Sequence, residues 1–343
     1  MNYHDLAETA LQGRALTREQ CGVVLHAPWE RFLELLQAVF KVRERYFGKR
    51  VLLHLLINAK SGFCPEDCTY CTQSAVSEAP IEKYPLINED EIVKGAHVAK
   101  AADAKRYCIV ISGRSPLEKD IDRICRVIGR IKQEVKIELC TSLGLLTEET
   151  ARRLKEAGVD RYNHNLNTSE RFYSRICTTH TFQDRVRTLS IARKAGLKLC
   201  SGALFGMGES EEDIIDLSLA LRELRPDSIP INFLNPGPGT PLEGMNELTP
   251  QKCLAILCLI RFLNPDREIR VAGGREVQLR SLQPLALYPA NSIFVSGYLT
   301  TSGQTPEEAK RMIADMGFSV EVEAIDEMGI GGIPESAKAE SPI

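Results

Sequence analysis

Three cysteines lie close together in the segment C-P-E-D-C-T-Y-C, which spans residues 64–71. Cys64, Cys68 and Cys71 are spaced so that all three thiols can turn toward one small object. Cysteine thiolate is the usual protein ligand of a 4Fe-4S cube, in which each iron takes a terminal ligand. Three thiolates leave one iron open. The sequence therefore predicts a cube that binds one further ligand from elsewhere.

A zinc site is the main alternative for this loop. Structural zinc sites have four ligands, often supplied as paired C-x-x-C arms. The loop has three cysteines, and the nearest further one in the sequence is Cys108. This mismatch favours an iron–sulfur cluster over zinc.

Four more residues stand out because each lies inside a predicted strand: Cys108, Cys140, Cys200 and Arg270. Side chains alternate along a strand, so one residue from each of four strands can converge in the lumen of a barrel. A strand cysteine is more often part of the core, because free cysteine behaves as a small hydrophobe. A buried arginine is harder to explain, since its guanidinium stays charged and needs partners.

The elements that would position these residues alternate between short β-rich segments and longer amphipathic ones. The eight predicted strands span residues 51–57, 106–111, 136–141, 160–166, 197–203, 228–233, 268–272 and 291–295. Parallel strands joined by helices form either a closed barrel or a doubly wound sheet. The count of eight favours a (β/α)8 TIM-type barrel, whose active sites assemble at the C-terminal ends of the strands. The cysteine loop follows the first predicted strand and would lie at that face.

Segments outside the barrel are predicted at both ends of the chain. Residues 1–50 form a predicted helical extension, in which residues 28–47 carry an apolar stripe that would pack against the barrel or close its base. The barrel itself is expected over residues 51–318. Residues 319–343 become acidic and then rich in Gly, Pro and Ser, so we expect a mobile tail there.

Composition excludes several classes of partner. The chain has 343 residues, with 43 Lys and Arg against 46 Asp and Glu, and a net charge of -3. No basic stripe is present, so nucleic acid and membrane surfaces are not expected partners. No apolar segment resembles a signal peptide or a membrane span, and we expect a cytoplasmic protein. Eleven cysteines in such a chain indicate metal binding or catalysis before disulfides.

The cysteine loop resembles the signature of the radical S-adenosylmethionine superfamily, including the aromatic Tyr70 before the last cysteine. The resemblance implies that Cys64, Cys68 and Cys71 hold the cube and that S-adenosylmethionine chelates its open iron. Reductive cleavage would then give a 5′-deoxyadenosyl radical, which abstracts hydrogen atoms. The segment Gly202-x₃-Gly206-x₂-Glu209 resembles the superfamily's glycine motif beside the adenosine, a loose pattern that gains weight from the cysteines.

Six further segments resemble those of the biotin synthase family, in order and over nearly the whole chain. They are Y-N-H-N-L-N-T-S, C-S-G-A, S-I-P-I-N-F-L, G-T-P-L, A-G-G-R-E and A-N-S-I-F-V. The resemblance implies that an auxiliary 2Fe-2S cluster is held deep in the barrel by Cys108, Cys140, Cys200 and Arg270. Whether that cluster is 2Fe-2S or a larger species is not decided by the residues themselves.

Three asparagines are candidates for contacts with a bound molecule. Asn163 and Asn165 lie two residues apart on the predicted fourth strand and share a face, while Asn232 lies in an apolar strand. Buried amides need partners, which either a ligand or neighbouring backbone can provide. The resemblance implies that Asn165 and Asn232 bind the ureido ring of dethiobiotin.

Other contacts follow from the resemblance alone. Backbone near Thr300 and Thr301 would bind the carboxylate of dethiobiotin, and Asn165 and Asn167 would lie near S-adenosylmethionine. Position 167 is Asn where some members of the family carry Asp toward the adenosine ribose. An amide oxygen can still accept a hydrogen bond there.

The implied activity is radical insertion of sulfur into dethiobiotin, with two S-adenosylmethionine per turnover and the auxiliary cluster as sulfur donor. A flavodoxin- or ferredoxin-type reductant and a homodimer are expected from the same resemblance. Two alternatives stay open: a related radical enzyme that matures another metal site, and an iron–sulfur carrier or redox sensor. Cys177, His164 and His180 receive no role.

Overall fold

The computed structural model describes residues 2–322, and the part of the predicted mobile tail at 323–343 lies outside the described residues. Ten strands pair in parallel, and β1 pairs with both β2 and β9, which closes the sheet into a barrel. The predicted (β/α)8 TIM-type barrel is confirmed. The strands are β1 Arg50–Lys60, β2 Ala104–Ile111, β3 Glu138–Ser142, β4 Arg161–Asn163, β5 Lys198–Cys200, β6 Ala203–Phe205, β7 Ser228–Phe233, β8 Glu268–Val271, β9 Ser292–Phe294 and β10 Ser319–Val320.

The fifth wall of the barrel consists of two short strands, so the single strand predicted over 197–203 is wrong in its bounds. Both β5 and β6 pair with β7. The interruption includes Gly202, where an added Cβ would lie 1.8 Å from the carbonyl oxygen of Pro230. Only glycine allows this close approach of two backbones. The strand predicted over 160–166 is also shorter than expected, so Asn165 lies beyond the end of β4.

Helices connect the strands and surround the barrel. Four of them begin with a capping box, at Thr17, Thr181, Ser210 and Thr305. No helix within residues 2–322 combines the length and the apolar composition needed to cross a membrane. The α-helices are α1 Tyr3–Leu11, α2 Arg18–Leu25, α3 Phe32–Phe47, α4 Glu89–Ala101, α5 Glu118–Glu134, α6 Glu148–Ala157, α7 Glu170–Ile176, α8 Phe182–Lys194, α9 Glu211–Leu224, α10 Pro250–Leu263, α11 Arg275–Leu279 and α12 Pro306–Asp315, with 3₁₀ turns at Trp29–Arg31 and Arg280–Leu287.

The N-terminal helices pack against helix α10, which is buried from Cys253 to its end at Leu263. Helix α3 buries Phe32, Leu35 and Val39, which belong to the predicted apolar stripe. Its buried Arg43 donates hydrogen bonds to the carbonyl oxygens of Arg50 at 2.7 Å and Ala290 at 3.3 Å. These carbonyls lie at the entry to β1 and just before β9, so α3 covers the N-terminal end of the barrel and leaves the opposite end open.

Replacement of Gly202 should disturb the barrel wall. We expect Gly202→Ala to lower the free energy of unfolding by about 1–3 kcal/mol, because the added methyl group collides with the backbone of β7. Thermal and urea denaturation of the cluster-free protein would measure the loss. Gly129→Ala is a matched control, since Gly129 lies inside α5 with nothing within 4 Å of its added Cβ. This variant should gain about 0.5–1 kcal/mol from helix propensity, and an equal loss in both variants would contradict the explanation.

Candidate active site

A cavity of about 330 Å³ opens at the C-terminal ends of the barrel strands. It is bordered by the cysteine loop, by the interior of the barrel and by the loop that follows β9. Among its lining residues that the structure describes, none is Asp, Glu, Lys, Arg or His. The residues singled out from the sequence that line it are Tyr70, Cys71, Cys108, Asn163, Asn165, Asn167, Asn232, Thr300 and Thr301.

A smaller cavity of about 190 Å³ adjoins the first, since Tyr70 and Cys71 line both. All three loop cysteines, Cys64, Cys68 and Cys71, line this smaller cavity. Burial raises the pKa of Cys64 and Cys71, so a metal would have to displace their protons. Three thiols around one cavity are the donor set that a cube with one open iron requires. The residues therefore fit the predicted cluster.

The cysteine loop is fastened to the segment that follows α7. Asp67 accepts hydrogen bonds from the backbone N–H groups of Thr178 at 2.9 Å and Thr179 at 3.2 Å. Glu66 accepts from the Thr179 hydroxyl at 2.6 Å and pairs with Nδ1 of His180. Burial alone would raise the pKa of both carboxyl groups, but these hydrogen bonds lower it. Both groups are therefore charged, and they hold the loop in one conformation.

Cys177 lies beside the cysteine loop, and this proximity was not predicted from the sequence. Its Sγ is 3.8 Å from Sγ of Cys68 and 3.2 Å from Nδ1 of His180. All three residues are buried, and their ligand atoms lie within 4.8 Å of one another. Hydrogen bonds to Cys68 and His180 lower the pKa of Cys177 to about 5. Cys177 is not among the described residues that line either cavity, although it is next to Cys68, which lines the smaller one.

Cys108, Cys140 and Cys200 form a separate buried group inside the barrel. The register of the sheet brings them together: Cys108 pairs with Cys140 across β2 and β3, and Cys200 pairs with Asn163 across β5 and β4. The contact with Cys108 and burial raise the pKa of Cys140, and the contact with Cys140 and burial raise that of Cys200. The amide of Asn163 also donates to Sγ of Cys200 at 3.1 Å.

Arg270 joins the three cysteines from β8. Its Nη1 lies 3.7 Å from Sγ of Cys200. The other nitrogens are held by protein oxygens, with Nε 3.2 Å from the Ser292 hydroxyl and Nη2 2.9 Å from the Ser228 hydroxyl. The four residues predicted to hold the auxiliary cluster therefore meet at one place. Their role as its ligands stays a prediction.

The interior of the barrel near these cysteines holds more positive than negative side chains. Arg106, Arg161 and Arg270 are buried there, against the carboxylates of Glu138 and Glu268. Nε and Nη1 of Arg161 are buried without a hydrogen-bond partner in the described part of the chain. A buried cation that is only partly paired is costly, and Nη2 of Arg161 lies 4.0 Å from the carboxylate of Glu138. Cysteine thiolates carrying an anionic cluster would supply the missing negative charge, so the lumen fits the predicted auxiliary cluster.

Glu268 contacts His54, Arg106 and Arg270, more of the buried ionisable side chains of the lumen than Glu138 does. Burial alone would raise the pKa of Glu268, but the guanidinium groups of Arg106 and Arg270 hold it well below its ordinary value. His54 is 3.2 Å from the same carboxylate, and burial together with Arg270 lowers the pKa of His54 well below its ordinary value. The buried carboxylate is therefore charged and the imidazole neutral.

Arg106 and Glu268 were not among the residues predicted from the sequence, although the sequence holds a signal for both. Each lies two residues before a predicted cluster residue, Cys108 on β2 and Arg270 on β8. Because side chains two apart on a strand share a face, both could have been assigned to the lumen. The sequence offers no comparable reason to place His54 or Arg161 in the lumen, since no predicted cluster residue lies two positions from either of them.

The asparagines differ in how far the protein itself satisfies them. Asn232 is bonded on both sides to backbone, accepting from Gly273 N at 2.9 Å and donating to Ala203 O at 3.0 Å. Asn165 accepts from Gly202 N at 3.1 Å, and its Nδ2 makes no hydrogen bond to any residue that the structure describes. Neighbouring backbone therefore satisfies much of Asn232, whereas Asn165, which lines the cavity, has an amide donor that no described residue accepts.

Asn167 adopts a backbone φ of 72°, a left-handed conformation that Asn tolerates better than most residues. Its amide donates to the hydroxyl of Tyr70 at 2.5 Å, which joins the segment after β4 to the cysteine loop. Thr300 forms a second bridge, since its hydroxyl is 2.9 Å from that of Thr72. Two hydrogen bonds between side chains that line the cavity thus join separate parts of its wall.

The glycine motif does not line either cavity. The N–H of Gly202 binds Asn165, and its carbonyl accepts from Asn167 N at 3.1 Å. Glu209 accepts from the N–H groups of Gly206 and Met207, both at 2.7 Å. These contacts place the motif behind the asparagines, where it shapes the wall. Direct contact with the cofactor stays a prediction.

Comparison with known proteins agrees with this geometry. Residues 59–220 match the family model described as "Radical SAM superfamily", and residues 230–319 match "Biotin and Thiamin Synthesis associated domain". The biotin synthase of Bacillus subtilis (strain 168) is 51% identical over 324 residues, which cover 94% of this chain and 96% of that protein. The biotin synthase of Geobacillus kaustophilus (strain HTA426) is 49% identical over 329 residues, or 96% of this chain and 99% of that protein.

Solved structures support the fold. The crystal structure of methylornithine synthase superposes with a TM-score of 0.81 at 23% identity, covering 92% of this chain and 97% of that one. The hydrogenase maturase HydG from Carboxydothermus hydrogenoformans gives a TM-score of 0.77 at 19% identity, covering 93% of this chain and 79% of that one. At these identities the likeness extends to the barrel and no further.

The closed barrel and the cysteine loop at its C-terminal face define a radical S-adenosylmethionine enzyme. The superfamily supports the 4Fe-4S cube and S-adenosylmethionine as its cofactors. Given the identity to curated relatives over almost the whole chain, this protein belongs to the biotin synthase family.

Proposed function

We propose that this chain converts dethiobiotin to biotin by inserting sulfur between two unactivated carbon atoms. One observation carries the proposal: a single cavity touches both Cys71 of the cysteine loop and Cys108 of the lumen. A substrate in that cavity would lie between the two groups of cysteines. Of the alternatives from the sequence, a carrier or sensor needs no such cavity.

In this proposal Cys64, Cys68 and Cys71 hold the cube, and Cys108, Cys140, Cys200 and Arg270 hold the auxiliary 2Fe-2S cluster. When bound, the cube with S-adenosylmethionine supplies a hydrogen-abstracting radical, and the auxiliary cluster supplies the sulfur atom. The carbon–hydrogen bonds of dethiobiotin are too weakly acidic for a side-chain base, so the protein's task is placement and exclusion of side reactions.

The cavity wall matches the two ends of dethiobiotin. Asn165 offers an amide N–H to the ureido oxygen, and Asn232 retains a second N–H beyond the one it gives to Ala203. Backbone and hydroxyl groups of Thr300 and Thr301 would bind the carboxylate, because both residues line the same cavity. Apolar residues between them, Leu56, Val110 and Phe294, suit the alkyl chain.

S-adenosylmethionine would bind where the two cavities adjoin. Tyr70 lines both cavities, and its hydroxyl is held by Asn167. Asn165 and Asn167 are in turn fixed by the backbone of Gly202. The Gly206 and Glu209 turn supports this wall from behind. Of the residues predicted for the cofactor, Tyr70 lines both cavities and Asn165 and Asn167 line the larger one, which supports this placement.

We further propose a cytoplasmic enzyme that receives electrons from a flavodoxin- or ferredoxin-type protein and works as a homodimer. All eleven cysteines are unpaired, which is typical of a reducing compartment. The reductant and the dimer rest on the family alone.

Anaerobic reconstitution tests the reaction as a whole. With iron, sulfide, S-adenosylmethionine, a reductant and dethiobiotin, mass spectrometry should detect both 5′-deoxyadenosine and biotin. Without dethiobiotin, no biotin should form. Absence of 5′-deoxyadenosine would contradict radical chemistry altogether, and 5′-deoxyadenosine without biotin would leave only the sulfur insertion wrong.

Single cysteine variants should separate the two clusters. We expect Cys68→Ala to lose the reducible cube and the cleavage of S-adenosylmethionine, whereas Cys140→Ala should retain the cube and lose the auxiliary cluster. Mössbauer spectra with iron and sulfide quantitation would measure both. Cys258→Ala is a control, because Cys258 is fully buried in α10 and belongs to the apolar core. Loss of the same signal in both test variants would refute two separate sites.

Asn165→Asp should weaken binding of dethiobiotin. The carboxylate can still accept from Gly202 N–H, but it offers no donor to the cavity. We expect KM for dethiobiotin to rise roughly tenfold, about 1.4 kcal/mol. Asn235→Ala is the control, since Asn235 is exposed at the edge of the same cavity, and its KM should change less than twofold. Equal effects in the two variants would argue against a specific contact.

A further inference from the structure

We propose that Glu268 is a positioning residue for the reaction, because it holds Arg270 in the one orientation that presents a guanidinium nitrogen to the auxiliary cluster. The inference rests on the proposed function, which supplies that cluster. Glu268 and Arg270 lie two residues apart on β8 and enter the lumen on the same face. Both are buried, with 7% and 2% of their surface exposed.

Two of the three nitrogens of Arg270 are held on the side away from the cysteines. Nη2 pairs with Oε1 of Glu268 and lies 2.9 Å from the Ser228 hydroxyl. Nε lies 3.2 Å from the Ser292 hydroxyl. Because the guanidinium is a rigid plane, fixing Nη2 and Nε determines where Nη1 points. Nη1 is the nitrogen that faces Cys200, at 3.7 Å.

Glu268 also orients the two serines that help hold Arg270. The hydroxyl of Ser228 donates to Oε1 of Glu268 at 2.9 Å, and that of Ser292 donates to the same oxygen at 3.1 Å. With each proton directed to the carboxylate, each hydroxyl oxygen is left to accept from Arg270. One carboxylate oxygen thus sets the direction of all three contacts that fix the guanidinium.

The second oxygen of Glu268 is bound by Arg106, which keeps the carboxylate in place if Arg270 moves. Oε2 lies 3.3 Å from both Nη1 and Nη2 of Arg106. Arg106 is itself anchored by Glu138, whose Oε2 is 3.0 Å from Nε and 2.8 Å from Nη2. Glu268 is therefore held from β2 while it holds Arg270. Glu138 offers a matched comparison, because it contacts the same arginine network without touching Arg270.

A role in positioning predicts a spectroscopic effect that a purely structural role does not. In a two-iron cluster with these four protein ligands, one iron would be bound by two cysteine thiolates. The other iron would be bound by one thiolate and one guanidinium nitrogen of Arg270. The two irons are then inequivalent, and Mössbauer spectra of the auxiliary cluster should show two doublets of equal area. If Arg270 turns away, the doublet of the nitrogen-bound iron disappears.

The experiment compares Glu268→Gln with Glu138→Gln in the reconstituted full-length enzyme. We expect Glu268→Gln to lose the nitrogen-bound doublet and to match the spectrum of Arg270→Met, whereas Glu138→Gln keeps both doublets. Ser292→Ala removes the acceptor of Nε without removing a buried charge. It should lose part of the same doublet, and it decides the question if Glu268→Gln does not fold.

The possible outcomes separate this inference from the proposed function. Both native doublets in Glu268→Gln and in Ser292→Ala would overturn the inference alone. An equal change in Glu138→Gln would also overturn it, since the effect would then follow from charge in the lumen and not from the contact with Arg270. A native protein that holds no second cluster would overturn both the proposed function and the inference.

Discussion

The structure depends on an excess of buried positive charge inside the barrel. Three guanidinium groups, from Arg106, Arg161 and Arg270, face only two carboxylates near the cysteines. An ion taken out of water without a partner costs several kcal/mol even after the protein relaxes. Partial pairing through Glu268 and Glu138 reduces this cost but leaves Nε and Nη1 of Arg161 without a hydrogen-bond partner among the described residues. The lumen is therefore built for a negatively charged occupant, and thiolates bound to metal provide one. Binding of the metal and stability of the barrel are coupled in such an arrangement.

The barrel also keeps the two cysteine groups apart while letting one cavity reach both. Parallel register places Cys108 and Cys140 side by side within the sheet, whereas Cys64, Cys68 and Cys71 lie on a loop beyond β1. Loops are mobile by default. Here Glu66 and Asp67 bind the loop to the segment after α7. These hydrogen bonds restrict the loop as sheet pairing restricts a strand. They thus hold the cysteine loop in one place relative to the barrel.

Much of this site could be predicted from the sequence, and the rest could not for identifiable reasons. The spacing of Cys64, Cys68 and Cys71 is local, so it can be read directly, and the strand periodicity placed Cys108, Cys140, Cys200 and Arg270 correctly in one lumen. The gap between β5 and β6 depends on the approach of Gly202 to Pro230, a contact between distant segments that no periodicity reports. Cys177 approaches Cys68 for the same kind of reason, since the two are brought together only when α7 packs beside the cysteine loop.

The neutral wall of the larger cavity agrees with the chemistry proposed for it. A carboxylate or histidine there could exchange protons with a substrate but could not open a non-acidic carbon–hydrogen bond. Amides and hydroxyls instead offer directional hydrogen bonds without a proton to give up at neutral pH. The described wall contains Asn163, Asn165, Asn167 and Asn232 and lacks charged side chains, while the charges lie one layer deeper with the lumen cysteines. Neutral hydrogen-bonding groups and buried charges thus occupy successive layers of the same barrel, and Cys108 lies where the two layers meet.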